Sequence, residues 1–189
     1  MIITIGRECG CDGDEVAVKL AEIFNIPVYG RDKLLSLARE KGIYEKYPYF
    51  FSEIPQDELS GYAEKDKFNS LFKEPHKAFV DLFGDNVPDC VIIGRCSNYA
   101  FRDRDDVINV FLSGDKELRI KRMAEKHDMD EKKAKDILEK TDSRRRDYHR
   151  YYTGEIWGNA KCYDLCIDER RIGIDNTVKM IVEFVELVK

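Results

Sequence analysis

The first 24 residues, MIITIGRECGCDGDEVAVKLAEIF, decide the fold class of this 189-residue chain. Residues 1–6 are mostly apolar and end in glycine, which is typical of a buried strand. Residues 14–24 repeat apolar side chains at helical spacing and stop before Asn25 and Pro27, as an amphipathic helix does. A strand, a glycine-rich turn and a helix in this order predict the first unit of an α/β protein.

The rest of the chain continues this alternation of short apolar strands and amphipathic helices. Strands are predicted at 26–29, 90–93, 107–112 and 165–167, and helices at 31–41, 115–127, 130–150 and 174–188. Short, fully apolar strands separated by helices indicate parallel pairing in a sheet that is covered on both faces. The sequence therefore predicts an α/β sandwich.

Residues 44–83 interrupt the alternation with a concentration of aromatic side chains. The helical spacing of Phe68, Phe72, Phe79 and Phe83 predicts a helical insertion packed on the sheet. Most of these rings are interpreted as core packing. The alternative is that one or two of them form the wall of a pocket for a flat ligand.

Composition and charge restrict the classes of function. Hydrophobic residues make up 43% and charged residues 37%, and no apolar stretch approaches the roughly 20 residues of a membrane span. No basic leader precedes the first strand, so we expect a cytoplasmic protein without a membrane partner. The net charge is −5, but residues 119–150 hold 12 Lys/Arg against 8 Asp/Glu. An acidic body with one basic segment argues against general nucleic-acid binding and favours one localised anionic ligand.

The turn at 6–15, GRECGCDGDE, lies where backbone N–H groups and a helix N-terminus can cradle phosphate. The strict phosphate-loop pattern G-x-x-x-x-G-K-[ST] is absent. If Gly13 is aligned with the second glycine of that pattern, Asp14 stands at the lysine position and Glu15 at the hydroxyl position. Acidic residues in a first turn also stabilise a helix, and glycine permits a tight turn. The turn alone therefore leaves a phosphate site and a structural helix start both open.

Two further segments supply basic side chains. Arg95, in GRCSNY at 94–99, follows a predicted strand, and its guanidinium offers a fork that suits phosphate oxygens at the strand end where ligands bind in open α/β sheets. A salt bridge to the acidic turn is the alternative interpretation of Arg95. The segments 118–122 and 141–152 place arginines on two helices; one or two of these can reach a common ligand, and the rest form a solvated face.

In the order GRECGCDGDE, GRCSNY, ELRIKR, TDSRRRDYHRYYTGEIWG and YDLCIDERRIGID, the sequence resembles the cytidylate kinase-like family of P-loop nucleoside monophosphate kinases. The resemblance runs almost end to end and is weakest across 44–85. It implies a three-layer P-loop NTPase fold with a five-stranded parallel sheet. It also implies a single domain, 1–189, with a core (1–43, 86–118 and 161–189), a helical nucleotide-monophosphate insertion (44–85) and an arginine-rich lid (119–160).

The resemblance also implies an activity and assigns residues to it. The activity is transfer of the terminal phosphate of ATP, with Mg²⁺, to CMP or dCMP, by a monomer or homodimer. The phosphate loop maps to Gly10, Cys11, Asp12, Gly13, Asp14 and Glu15, with Asp14 or Glu15 reaching Mg²⁺ through the nucleotide. The resemblance assigns binding of the acceptor nucleotide to Asp32, Arg95, Asn98 and Tyr99. The catalytic arginines are Arg95, Arg119, Arg122, Arg144 and Arg145.

The sequence departs from the family most at Asp14, where the family has arginine; Asp12 also replaces a glycine, and Cys11 replaces a serine. A carboxylate about 5 Å from a phosphate oxygen, at an effective dielectric of about 20, opposes binding by on the order of 3 kcal/mol. Mg²⁺ or the lid arginines would have to compensate for this repulsion.

Three functions therefore stay open at the level of sequence. The first is an active kinase, and the second is a degenerate relative that binds a nucleotide or another phosphorylated ligand without transferring phosphate. The third is single-strand nucleic-acid binding through the arginines of 144–150 and the adjacent tyrosines. The net charge of −5 counts against the third.

Overall fold

The computed structural model describes residues 1–52, 74–84 and 86–188. Its sheet contains β1 Ile2–Arg7, β2 Val28–Tyr29, β3 Cys90–Ile93, β4 Val107–Ser113 and β5 Leu165–Asp168. Neighbouring strands are parallel throughout, in the order β2-β3-β1-β4-β5. The predicted five-stranded parallel sheet is confirmed, with β1 at its centre.

Helices cover both faces of the sheet, and every predicted helix outside the insertion is present. They are α1 Gly13–Phe24, α2 Arg31–Glu40, α3 Pro48–Ser52, α4 Glu74–Phe83, α5 Ser97–Ala100, α6 Lys116–Lys126, α7 Glu131–Thr153 and α8 Glu169–Val188. Short 3-10 turns occupy Tyr44–Lys46 and Ala160–Cys162. The predicted helix at 174–188 is the longer part of α8, which is interrupted at Gly173 (φ 80°). Among the described helices, none combines the length and apolar composition that crossing a membrane requires.

Alternate side chains of the strands fill two apolar layers. Ile3 on one face packs with Leu20 of α1 and with α8. Ile2 on the other face packs with Phe50 and Phe79, whose ring centroids are 5.9 Å apart in an edge-to-face arrangement. These two rings are fully buried, as the core-packing interpretation expects. Phe68 and Phe72 of the predicted insertion lie outside the described residues.

The helices α6 and α7 pack on each other and on the loop that follows β1. The loop lies close to α6 at Gly10, which has a φ of 85°; a Cβ there would lie 2.9 Å from the Arg119 carbonyl oxygen. A side chain at position 10 would therefore meet both a left-handed backbone and the backbone of α6. Gly10 is what allows α6 to lie directly against the loop.

Gly10→Ala is expected to lower the free energy of unfolding by about 2–4 kcal/mol, because it adds a clash with α6 to the left-handed strain. Gly42→Ala is the matched control, since Gly42 has a φ of 68° but its Cβ would meet nothing within 4 Å. Urea denaturation measures both, and we expect the Gly42 variant to lose about 1 kcal/mol. Equal losses at the two positions would contradict the close contact between the loop and α6.

Candidate active site

The two segments that the sequence singles out for phosphate binding lie side by side at the carboxyl edge of the sheet. They follow β1 and β3, which are neighbouring parallel strands with Ile5 opposite Ile93. The Gly94 amide donates a hydrogen bond to the Ile5 carbonyl at 3.0 Å. The topology therefore brings residues 8–12 and 94–96 together, although more than 80 residues separate them in the chain.

One cavity of about 40 Å³ at this edge, here called the arginine cavity, is lined by four arginines, Arg7, Arg95, Arg144 and Arg145. Trp157 and the buried Asn98 also line it. None of its described lining residues is an aspartate or a glutamate. Four guanidinium groups around one cavity, with no carboxylate among its described lining residues, create a positive potential that suits an anion.

Arg95 is held in the arginine cavity by buried contacts. It is 4% exposed, and its Nη1 donates to the Phe50 carbonyl at 2.8 Å. The guanidinium also lies over the Tyr148 ring, 5.6 Å from its centroid, and the Tyr148 hydroxyl donates to the same Phe50 carbonyl. Burial raises the pKa of Tyr148, so the phenol stays protonated as a donor. These contacts give Arg95 a fixed orientation.

His149 is a buried member of the arginine cavity that the sequence does not single out. Its side chain is 4% exposed, and Nε2 lies 3.7 Å from Glu155 Oε2. Burial lowers the pKa of His149 to about 4. The imidazole is therefore neutral at pH 7, and the positive charge of the arginine cavity comes from its arginines.

A second cavity of about 200 Å³, here called the loop cavity, lies beside the first, between residues 7–14 and helix α6. Arg122 and Lys126 of α6 and Arg145 of α7 line it. Of the residues that the resemblance assigns to the phosphate loop, those from Gly10 to Asp14 line this cavity. The Cys11 side chain itself is fully buried in the core.

Asp12 lies at the centre of a cluster of cations. Its carboxylate is 4% exposed and accepts hydrogen bonds from Arg122 Nε at 2.7 Å, Lys126 Nζ at 2.7 Å and Arg170 Nη2 at 3.0 Å. Burial acts to raise the pKa of Asp12, but the hydrogen bonds from Lys126 and Arg122 outweigh it and the pKa is lowered. The carboxylate is therefore ionised and joins the loop to α6 and α8.

Asp14, at the position where the family has arginine, points to solvent. Its side chain is 79% exposed, and Oδ1 lies 4.0 Å from Arg7 Nη2. At about 5 Å and the dielectric of water, a carboxylate opposes a phosphate charge by only about 1 kcal/mol. The exposure of Asp14 thus reduces the repulsion that the sequence suggests, whereas Asp12 neutralises cations inside the loop cavity.

Arg119, expected among the catalytic arginines, binds protein groups. It is 6% exposed, and its Nη1 donates to Asp142 Oδ2 at 2.7 Å and to the Cys9 carbonyl at 3.0 Å. Asp142 in turn accepts from the Cys9 amide at 2.7 Å. Arg119 lines neither the arginine cavity nor the loop cavity and instead fastens α6 and α7 to the loop.

The structure brings only some of the other expected residues to the cavities. Asp32 is exposed at the start of α2 and lines neither of the two cavities. Tyr99 also lies outside both, under the guanidinium of Arg102 at 4.2 Å from the ring centroid. Glu15 forms ion pairs with Lys126 and Arg122. Sequence reasoning missed four residues at or beside the cavities: Arg7, Lys126, His149 and Arg170.

The carboxylates of Asp14 and Glu15 suit a magnesium ion that binds together with a nucleotide better than a magnesium ion held by the protein alone. Within the described ranges, no group of three or more His, Cys, Asp or Glu side chains is placed to hold a metal. Mg²⁺ bound to phosphates takes one or two protein carboxylates and keeps several waters. Asp14 is exposed at the loop cavity and fits that requirement, while Glu15 is paired with Lys126.

Comparison with known proteins gives a family and a fold. Residues 2–171 match the sequence profile of the cytidylate kinase-like family. The crystal structure of an uncharacterized protein from Eubacterium ventriosum ATCC 27560 is 31% identical with a TM-score of 0.72, and 98% of each chain is covered. A gluconokinase from Sinorhizobium meliloti 1021 is 13% identical with a TM-score of 0.52, over 98% of this chain and 94% of its own, and shares the fold. A sequence search against curated proteins gave no match.

Asp12→Asn is expected to lower the free energy of unfolding by about 1–3 kcal/mol near pH 7, because three cations lose a charged, buried acceptor. The pKa of Asp12 is lowered in the folded state, so its contribution is present above the unfolded value of about 4 and disappears as the pH falls below it. Urea denaturation at several pH values should show the two proteins converging in acid. A difference that stays constant below pH 4 would contradict this assignment.

Proposed function

This chain belongs to the cytidylate kinase-like family, and from that premise we propose that it transfers the terminal phosphate of ATP to a pyrimidine nucleoside monophosphate, CMP or dCMP. The family match supports a kinase-like function, and the gluconokinase shares the fold. The observation that carries the proposal is that the arginine cavity and the loop cavity adjoin and share Arg7 and Arg145. Two adjoining cationic cavities suit a donor phosphate and an acceptor phosphate.

The arginine cavity is the proposed acceptor site. Arg95 presents a buried fork that can hold two oxygens of a monophosphate, and Arg144 and Arg145 add charge from α7. The acceptor phosphate is already ionised at pH 7, so the attacking oxygen needs no general base. His149 is neutral at pH 7. Among the described lining residues, no Asp or Glu competes with the acceptor phosphate for the arginines. The preference for a pyrimidine base rests on the family.

The loop cavity is the proposed donor site, with residues 10–14 at the N-terminus of α1 facing the phosphates of ATP. Backbone N–H groups and the helix dipole at such a terminus favour bound anions. Mg²⁺, when bound with the nucleotide, neutralises charge on the phosphate oxygens, and Asp14 is the carboxylate placed to hold it. Arg145 faces both proposed sites and stabilises the charge that is spread over the moving phosphoryl group.

The proposal includes the setting of the reaction. We propose one domain in which the core (1–43, 86–118 and 161–189) carries the loop and Arg95, the segment 44–85 forms the acceptor-side insertion, and the lid (119–160) carries Arg122, Arg144 and Arg145. The proposed location is the cytoplasm. We also predict that the protein is a monomer or a homodimer and that it has no nucleic-acid partner.

Asp12 favours a second candidate function, a degenerate relative that binds a phosphorylated ligand without transfer. Its carboxylate already pairs with Arg122 and Lys126 inside the loop cavity, which lowers the positive charge available to a triphosphate. The arginine cavity contains no such carboxylate among its described lining residues. This candidate therefore predicts binding of a monophosphate with little affinity for ATP.

Arg95→Lys is expected to raise the KM for CMP at least tenfold, because lysine keeps the charge but loses the fork and the contact with Phe50. A coupled assay of ADP formation with CMP, dCMP and UMP, at high enzyme and Mg²⁺ concentrations, measures this. Arg150→Lys, an exposed change on the same α7 helix, serves as the control and should leave the KM unchanged. The absence of ADP formation with every acceptor would remove the kinase proposal.

The two candidate functions differ in thermal stabilisation by ligands. A kinase is stabilised by CMP and by ATP with Mg²⁺, and saturation at 100 times Kd adds about 2.7 kcal/mol to the free energy of unfolding in each case. The degenerate binder is stabilised by CMP alone. Thermal melting with each ligand separately distinguishes them, and equal protection by both ligands rejects the degenerate candidate.

A further inference from the structure

Arg7 is the last residue of β1, and its side chain lies across the site in space that two glycines, Gly13 and Gly94, leave free. Its stem lies over the start of α1, where a Cβ on Gly13 would be 2.9 Å from Arg7 Cγ. Its guanidinium reaches the end of β3, where a Cβ on Gly94 would be 2.8 Å from Arg7 Nη1. The side chain is 18% exposed. The Arg7 side chain therefore has a fixed course from the loop to the Arg95 turn.

Arg7 and Arg145 are the two residues common to the arginine cavity and the loop cavity, as far as the described residues line them. Arg145 Nη1 donates to the Arg7 carbonyl at 3.0 Å, so the two arginines are joined. A phosphoryl group that leaves a donor in one cavity for an acceptor in the other must pass these two side chains.

The charges of the loop cavity place Arg7 next to a missing cation. Arg122 and Lys126 donate to Asp12, and Asp14 supplies a negative charge at the lysine position of the phosphate-loop pattern. Arg7 also lies within 4.0 Å of Asp14, which places its guanidinium beside the position of the missing cation.

We propose that Arg7 replaces the basic residue that the loop lacks at position 14: its guanidinium contacts the donor phosphates and the phosphoryl group during transfer. The cation thus comes from the end of β1 instead of from the first turn of α1. This inference rests on the proposed function, and it assigns a catalytic residue that the loop sequence alone does not reveal.

The test compares Arg7→Met with the control Arg150→Met, an exposed change on α7 that lies outside the lining of both cavities. Losing one charged group that acts on the transition state lowers kcat about 10²–10³-fold. We expect that loss for Arg7→Met, a change below threefold in the KM for CMP because Arg95 and Arg144 remain, and no change for the control. A kcat within threefold of the unmutated protein, or an equal loss of CMP binding, overturns the inference.

A conservative variant separates a catalytic role from a structural one. If Arg7→Met does not fold by circular dichroism, Arg7→Lys replaces it and keeps a stem over Gly13; a kcat reduced at least tenfold in that folded variant supports the inference, and an unchanged kcat overturns it.

A binding measurement keeps the inference distinct from the proposed function. Trp157 is the single tryptophan of the chain and lines the arginine cavity, so its fluorescence reports CMP binding, while calorimetry reports pyrophosphate with Mg²⁺. If the unmutated protein binds both but transfers no phosphate, the kinase proposal fails, and a tenfold weaker pyrophosphate affinity in Arg7→Met still supports Arg7 as a phosphate ligand. An unchanged pyrophosphate affinity, or no pyrophosphate binding by the unmutated protein, overturns the inference.

Discussion

A buried carboxylate inside the loop is the constraint on which the rest of the site depends. Asp12 is held by cations of α6 and α8, and removing its charge would leave these cations without their shared counterion. The Arg119–Asp142 pair, with the Cys9 amide and carbonyl, adds a second buried connection. Together these contacts fix α6 and α7 against the loop by electrostatic interactions within the chain.

The same contacts occupy several of the basic residues. Arg119, Arg122, Lys126 and Arg170 pair with the buried carboxylates of Asp142 and Asp12, whereas the carboxylate beside Arg7 is the exposed one of Asp14. A charge that is already compensated adds little attraction for a ligand. The number of arginines in α6 and α7 is therefore a poor guide to phosphate binding, which depends on whether each arginine already has a carboxylate partner.

The sequence predicted the architecture well because strand and helix periodicity is a local property. It also placed Arg95 correctly at a strand end, since adjacent parallel strands share an edge. It could not predict the contrast between Asp12 and Asp14, because the partners of Asp12 are up to 158 residues away and alignment gives a position without a side-chain direction. The structural role of Arg119 could not be predicted for the same reason, because its partner Asp142 lies on another helix.

Backbone strain completes the account of how Arg95 is aimed. Arg95 and Cys96 are consecutive non-glycine residues in the left-handed region, with φ of 58° and 51°, at a cost of order 1–3 kcal/mol each. The Phe50 carbonyl and the Tyr148 ring hold the guanidinium in the arginine cavity and offset that cost. The Arg7 side chain reaches the same cavity without such strain, because Gly13 and Gly94 have no side chains to occupy the space it fills. Arg95 is thus positioned by a strained turn, and Arg7 by the space that two glycines leave. A side chain at Gly94 would contact Arg7 directly, whereas it would affect Arg95 only through the turn.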